Sequence, residues 1–112
     1  MENWQKINLR EGARIEKLIN EYNIGELIKT PWSKFKIRIY KRQNGTYRGL
    51  TNLMYKNNGE WQTGHGEGNS ELEALERTLE DFMLKLSSFN EKMYDDDFDV
   101  SDFFKPLSIY EF

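Results

Sequence analysis

His65 is the one histidine of the chain, held between Gly64 and Gly66, and it is the natural place to look for acid–base or metal chemistry. Its imidazole titrates near neutrality, so an exposed one can serve as a general base or a ligand. A metal centre needs further nitrogen or sulfur donors at fixed spacing, and there is no second histidine and no cysteine. The surrounding run, Gly64 to Gly68, lacks the Lys-Ser/Thr ending of a phosphate loop, and Glu67 would repel phosphate from its centre. The aspartates Asp95, Asp96, Asp97 and Asp99 are dense enough to attract a divalent cation, but they do not follow EF-hand spacing and enclose no glycine. The expectation is a protein that is not an enzyme, with no catalytic residues, no metal site and no cofactor.

Binding chemistry is better represented. Lys34, Lys36, Arg38 and Arg42 alternate along one face of a strand with Tyr40, and Lys41 and Arg48 flank the hairpin that follows. Cations interleaved with an aromatic ring suit single-stranded nucleic acid, whose phosphates pair with the charges while a base stacks on the ring. The same pattern also suits the solvated face of an edge strand, where lysines discourage aggregation. A contrasting acidic surface is offered by Glu71, Glu73, Glu76 and Glu80 on a helix, together with Asp95, Asp96, Asp97 and Asp99. Phe98, Phe103 and Phe104 stand among those aspartates as anchors for a partner. Carboxylates in such an array occupy the Lys and Arg side chains with which another protein grips phosphates.

The elements that must position these residues read from the hydrophobic period. Ile15, Leu18, Ile19 and Tyr22 follow helical spacing and predict a helix over 11–22, with a short further turn through residues 25–28 stopped by Pro31. From Lys34 the period becomes two, with Phe35, Ile37 and Ile39 on one side, so 34–42 is a strand. Asn44-Gly45 predicts a type I′ hairpin into a second strand over 46–55, and Asn57-Asn58-Gly59 a turn into a third over 60–65. Gly64, Gly66 and Gly68 read as a sharp turn. Ser70 and Glu73 then form a capping box for a helix over 70–88, whose apolar face is Leu72, Leu75, Leu79, Phe82 and Leu86. The expected class is α+β, ordered α-β-β-β-α, with a three-stranded antiparallel sheet in a single domain over 1–89 and an acidic, aromatic extension over 90–112.

Charge is divided along the chain. Residues 1–48 carry eleven Lys and Arg against five Glu, and residues 49–112 carry five against fourteen Asp and Glu, for a net −3 overall. Such asymmetry points to charged partners, unless the fold interleaves the halves. A length of 112 residues with sixteen aromatics allows one core of moderate size. No apolar run approaches a membrane span, and the N-terminus lacks the apolar core of a signal peptide, so a cytoplasmic protein without membrane contact is expected. The abundance of Lys, Asn, Ile and Glu is that of an AT-rich bacterial or phage genome.

The pattern Gly66, Gly68, Ser70, Ala74 after three strands resembles the last third of double-stranded-RNA-binding domains, whose element order would cover roughly residues 11–88 here. That resemblance implies the α-β-β-β-α order. The family grips phosphates with lysines at the start of its second helix, where this chain has Glu71, Leu72 and Glu76, which would repel them. The helix start with Glu71, Glu73, Ala74, Leu75 and Glu76 is also similar to HicB-type antitoxins, although their glycine-cysteine strand signature is absent. Short acidic phage inhibitors, anti-CRISPR proteins among them, look alike in size and charge. The expected function is therefore a non-enzymatic inhibitor that neutralises a basic, nucleic-acid-handling protein through its acidic surface. The alternative is a nucleic-acid-binding module that uses Lys34, Lys36, Arg38, Tyr40, Arg42 and Arg48. A homodimer is a further expected partner state.

Overall fold

Phe35, Ile37 and Ile39 are fully removed from water while Lys34 and Lys36 stay exposed, so the two-residue period of this strand is met by burial on one side only. In the computed structural model, which describes residues 2–25, 34–57, 60–87 and 104–106, the chain is α+β. A short 3₁₀ turn, Asn3–Lys6, precedes four consecutive antiparallel strands: β1 (Glu16–Gly25), β2 (Lys34–Arg42), β3 (Tyr47–Asn57) and β4 (Glu60–Gly68). Helix α1 (Glu71–Ser87) follows, and a short β5 (Phe104–Pro106) pairs with β3. The C-terminal extension thus contributes a strand to the same sheet.

The first expected helix is strand β1. Tyr22 and Ile24 pair with Ile37 and Phe35 and pack against the core, whereas Leu18 pairs with Tyr40 on the opposite face. Between Leu18 and Asn20 the register slips, and the one-residue bulge at Ile19 produces a three-and-four spacing that imitates a helix. The further turn expected over 25–28 falls on Gly25, which ends β1, and on residues outside those described. The β2–β3 hairpin is closed by a three-residue loop instead of a type I′ turn. The Arg42 carbonyl accepts from the Gly45 N–H (3.0 Å), the Arg42 N–H donates to the Thr46 carbonyl (2.8 Å), and Gly45 takes a φ of 89°.

The glycines after His65 do not turn. Gly64, Gly66 and Gly68 belong to β4, and positive φ among the described glycines is confined to Gly12 and Gly45. Their service is to let α1 lie against the sheet. A Cβ on Gly66 would stand 2.5 Å from the Thr78 backbone nitrogen, and one on Gly64 would stand 2.4 Å from the Phe82 Cβ. Because the helix sits so low, its buried stripe runs through small residues, Ala74 and Thr78, before Phe82 and Leu86. Leu75 and Leu79 pack only partly against the core, and Leu72, expected inside, is 63% exposed. Phe82 meets Phe35 with ring centroids 4.8 Å apart and Tyr55 at 6.2 Å.

Side chains complete the ladder where it is irregular. Across the bulge in β3, the buried Thr51 hydroxyl accepts from the Gly64 N–H (2.8 Å) and donates to the Leu53 carbonyl (3.0 Å). Where β3 parts from β2, the Asn52 side chain accepts from the Lys36 N–H at 2.8 Å. The outer edge of β4 is covered by the helix. Asp81 accepts from the His65 N–H (3.0 Å), Arg77 donates to the Glu67 carbonyl (2.8 Å), and Lys85 donates to the Thr63 carbonyl (3.3 Å). That closes a strand edge open to adventitious pairing. Among the described residues, no helix is long and apolar enough to cross a membrane.

Candidate nucleic-acid interface

Because α1 covers one face of the sheet, the other face is open among the described residues, and strand alternation decides which side chains it carries. Every residue opposite Phe35, Ile37 and Ile39 points there: Lys34, Lys36, Arg38, Tyr40 and Arg42 on β2. Register then adds their neighbours. Arg48 lies opposite Tyr40 and Glu67, Leu50 opposite Arg38 and His65, Met54 opposite Thr63 and Lys105, and Lys56 opposite Trp61. The six residues expected to form a basic surface are thus brought together on one face. Lys56, Trp61 and Lys105 join them from β3, β4 and β5, and the sequence reading had not included these three. Seven cationic side chains share this face with the carboxylates of Glu16, Glu21 and Glu67, a balance of +4.

The two ends of the face differ electrostatically. At the β1–β2 end the arginines are held by carboxylates. Arg48 Nε donates to both oxygens of Glu16 (2.8 and 2.9 Å), Arg42 meets Glu67 at 2.7 Å and Glu16 at 3.5 Å, and Arg38 meets Glu21 at 2.8 Å. The Arg48 hydrogen bonds hold Glu16 below its ordinary carboxyl pKa, Arg38 and Lys36 do the same for Glu21, and Arg42 for Glu67. Reciprocally, bonds to Glu21 and Glu67 raise Arg38 and Arg42. The Arg48 guanidinium also lies over the Tyr40 ring, 4.7 Å from its centroid. At the other end, half-buried Trp61 is bracketed by two ammonium groups, Lys105 Nζ at 4.4 Å and Lys56 Nζ at 6.0 Å. Lys34, Lys56 and Lys105 make no ion pair among the described residues.

Four residues of the expected acidic surface, Glu71, Glu73, Glu76 and Glu80, lie on α1 in differing surroundings. The Glu71 carboxylate accepts from Asn20 and from the Tyr22 hydroxyl (2.9 Å), tying the helix start to β1. Ser70 Oγ accepts from the Glu73 N–H (3.1 Å), as a helix cap should, while the Glu73 carboxylate pairs with Arg77 at 2.8 Å. Glu76 and Glu80 stay exposed on the outer helix face, near Leu72 and Leu84, which are 63% and 73% exposed. Asp95, Asp96, Asp97, Asp99, Phe98 and Phe103 lie outside the described residues, and of Phe104 only the backbone pairing with Tyr55 is defined.

His65 is exposed on the open face, opposite Leu50. Among the described residues there is no cluster of three or more His, Cys, Asp or Glu able to hold a metal ion. A cavity of about 490 Å³ opens beside His65, bounded by Arg14, Glu16, Arg42, Arg48, Thr63 and Glu67, with Gly49, Leu50 and Gly66 as its floor. Set against known protein families, curated proteins and solved structures, the chain matches none of them.

Proposed function

We propose that this chain is a non-enzymatic binding protein whose open sheet face takes single-stranded nucleic acid. One observation carries the reading: four strands, β2 to β5, deliver seven cations and two partly accessible aromatic rings, Tyr40 and Trp61, to the face that the helix leaves uncovered. Trp61 between Lys56 and Lys105 offers a base a stacking platform with cations beside it for the adjoining phosphates. The arginines at the far end hold carboxylates, Glu67 exposed and Glu16 and Glu21 partly buried, that a polyphosphate can replace, since the same guanidinium fork accepts either anion. An open sheet face also suits an unpaired strand, whose bases can be splayed out on it. Fluorescence anisotropy of a labelled single-stranded oligonucleotide tests the reading. Binding at low salt, weakened about tenfold or more by Trp61→Ala and by Lys36→Glu, is the expected result. Undiminished binding by both variants would refute it.

A second reading rests on the outer face of α1. Exposed Leu72 and Leu84 bracket Glu76 and Glu80, which gives apolar anchors with carboxylates between them. This arrangement suits a basic protein partner, such as a nucleic-acid-handling component of bacterial defence or an RNA-cleaving toxin, in the cytoplasm of a bacterial cell. Phage anti-defence or antitoxin-like inhibition is the corresponding activity. Affinity capture from a bacterial lysate, at low and at physiological salt, should recover such a partner with the native chain and lose it with Leu72→Asp. Recovery of no basic protein under either condition counts against this reading.

A further inference from the structure

The cavity beside His65 has a chemistry that strand binding along the open face does not require. Arg14, Arg42 and Arg48 converge on it from three segments, and Thr63 and His65 add polar side chains at the rim. Its two carboxylates are already engaged, Glu16 by Arg48 and Arg42, and Glu67 by Arg42. Arg48 reaches Glu16 through Nε alone, so its terminal nitrogens, fixed in orientation over Tyr40, remain available. Arg14 borders both this cavity and its neighbour and has no ionic partner among the described residues. Glu67 is the one carboxylate well out in solvent, its side chain 64% exposed, and it sits on Arg42 at 2.7 Å.

We infer that this cavity is a phosphate-monoester site in which the Glu67 carboxylate is the resident anion. An incoming phosphate displaces Glu67 from Arg42 and gains Arg14, which has no anion among the described residues. Displacement is inexpensive because exposed ion pairs contribute little and Glu67 is free to rehydrate. The guanidinium fork that holds a carboxylate bidentately holds a phosphate equally well, with more acceptor oxygens to satisfy. A volume of about 490 Å³ exceeds what inorganic phosphate fills and lies in the range of small-ligand sites. The group is therefore the terminal phosphate of a nucleotide. This inference rests on the reading of the open face as a nucleic-acid platform, and the occupant is the phosphorylated end of a strand lying along that face.

The test uses the full chain and labelled oligonucleotides of one sequence with 5′-phosphate, 3′-phosphate or hydroxyl ends, with a free nucleoside monophosphate as competitor. One phosphorylated end should bind about tenfold more tightly than the hydroxyl ends. Arg14→Ala should erase that advantage while leaving the hydroxyl-ended strand unaffected, and Glu67→Gln should enlarge it. Equal affinity for all ends, with strand binding intact, overturns the cavity assignment and spares the open-face reading. Absence of all strand binding overturns both, unless the nucleoside monophosphate alone binds and depends on Arg14. That last result moves the source of the phosphate from a strand end to a free nucleotide and retains the site. An advantage that survives Arg14→Ala places the phosphate elsewhere and sinks the proposal.

Discussion

Replacing Gly66 by alanine adds one methyl group, and the structure says where it must go. Its carbon would lie 2.5 Å from the Thr78 backbone nitrogen and 2.7 Å from the Arg77 carbonyl carbon. Non-bonded heavy atoms need about 3.5 Å, so the helix must retreat by about 1 Å. No side-chain rotation relieves the contact, because both partners are helix backbone. Retreat also thins the packing of Phe82 and Leu86, which are fully buried under the same helix. Overpacking of this kind costs about 1–3 kcal/mol, occasionally more, and the reduced freedom of the unfolded alanine chain offsets about 0.4–1 kcal/mol. We expect a net loss of about 2 kcal/mol, or about 8 °C in Tm for a domain of this size. Gly25→Ala is the control, since nothing among the described residues lies within 4 Å of its added carbon. It should stay within about 0.5 kcal/mol of the native chain. Thermal denaturation followed by circular dichroism measures both. Equal melting of the two variants would refute the account of the glycines as the bed of the helix.

Three further outcomes follow from the same core and its ion pairs. Thr51→Val should cost about 1–3 kcal/mol in a denaturant titration, because the Gly64 N–H loses its acceptor in a buried place. Phe82→Ala, which removes a fully buried ring packed on Phe35 and Tyr55, should cost about 3–5 kcal/mol, whereas exposed Leu72→Ala should change stability by about 0.5 kcal/mol at most. The Glu16 carboxyl is held by Arg48 below its ordinary 4.5, so its contribution is present above that value and is lost as pH falls through the depressed one. Melting of Glu16→Gln should therefore lie below that of the native chain at neutral pH and converge with it in acid; a constant gap at all pH would contradict the pairing.

What was legible in the sequence is what repeats locally. Lys34 to Arg42 alternates without interruption, so β2 is readable to both ends, and Ser70 with the leucines after it marks α1 to within a residue or two. Strand β1 is hidden by its own bulge, since one extra residue at Ile19 turns a period of two into the spacing of a helix. The exposure of Leu72 follows from Gly64, Gly66 and Gly68 lowering the helix onto its small residues, an effect of tertiary contact that periodicity along α1 does not contain. The basic half of the candidate interface was visible because five of its six residues alternate along β2 and Arg48 follows just after the hairpin. Trp61, Lys56 and Lys105 were not, because only the pairing of β3 with β4 and β5 brings them together.

The most direct test of the open face is the salt dependence of oligonucleotide binding. Lys34, Lys56 and Lys105 make no ion pair among the described residues, so about three phosphates should be neutralised on binding, and the arginines add more only by shedding Glu16, Glu21 or Glu67. For a single strand the slope of log K against log salt is about −0.7 per neutralised phosphate, so a value near −2 is expected, with Trp61 fluorescence quenched as the strand binds. Absence of binding at low ionic strength, or an affinity indifferent to salt and to the Trp61→Ala substitution, would contradict the assignment of this face.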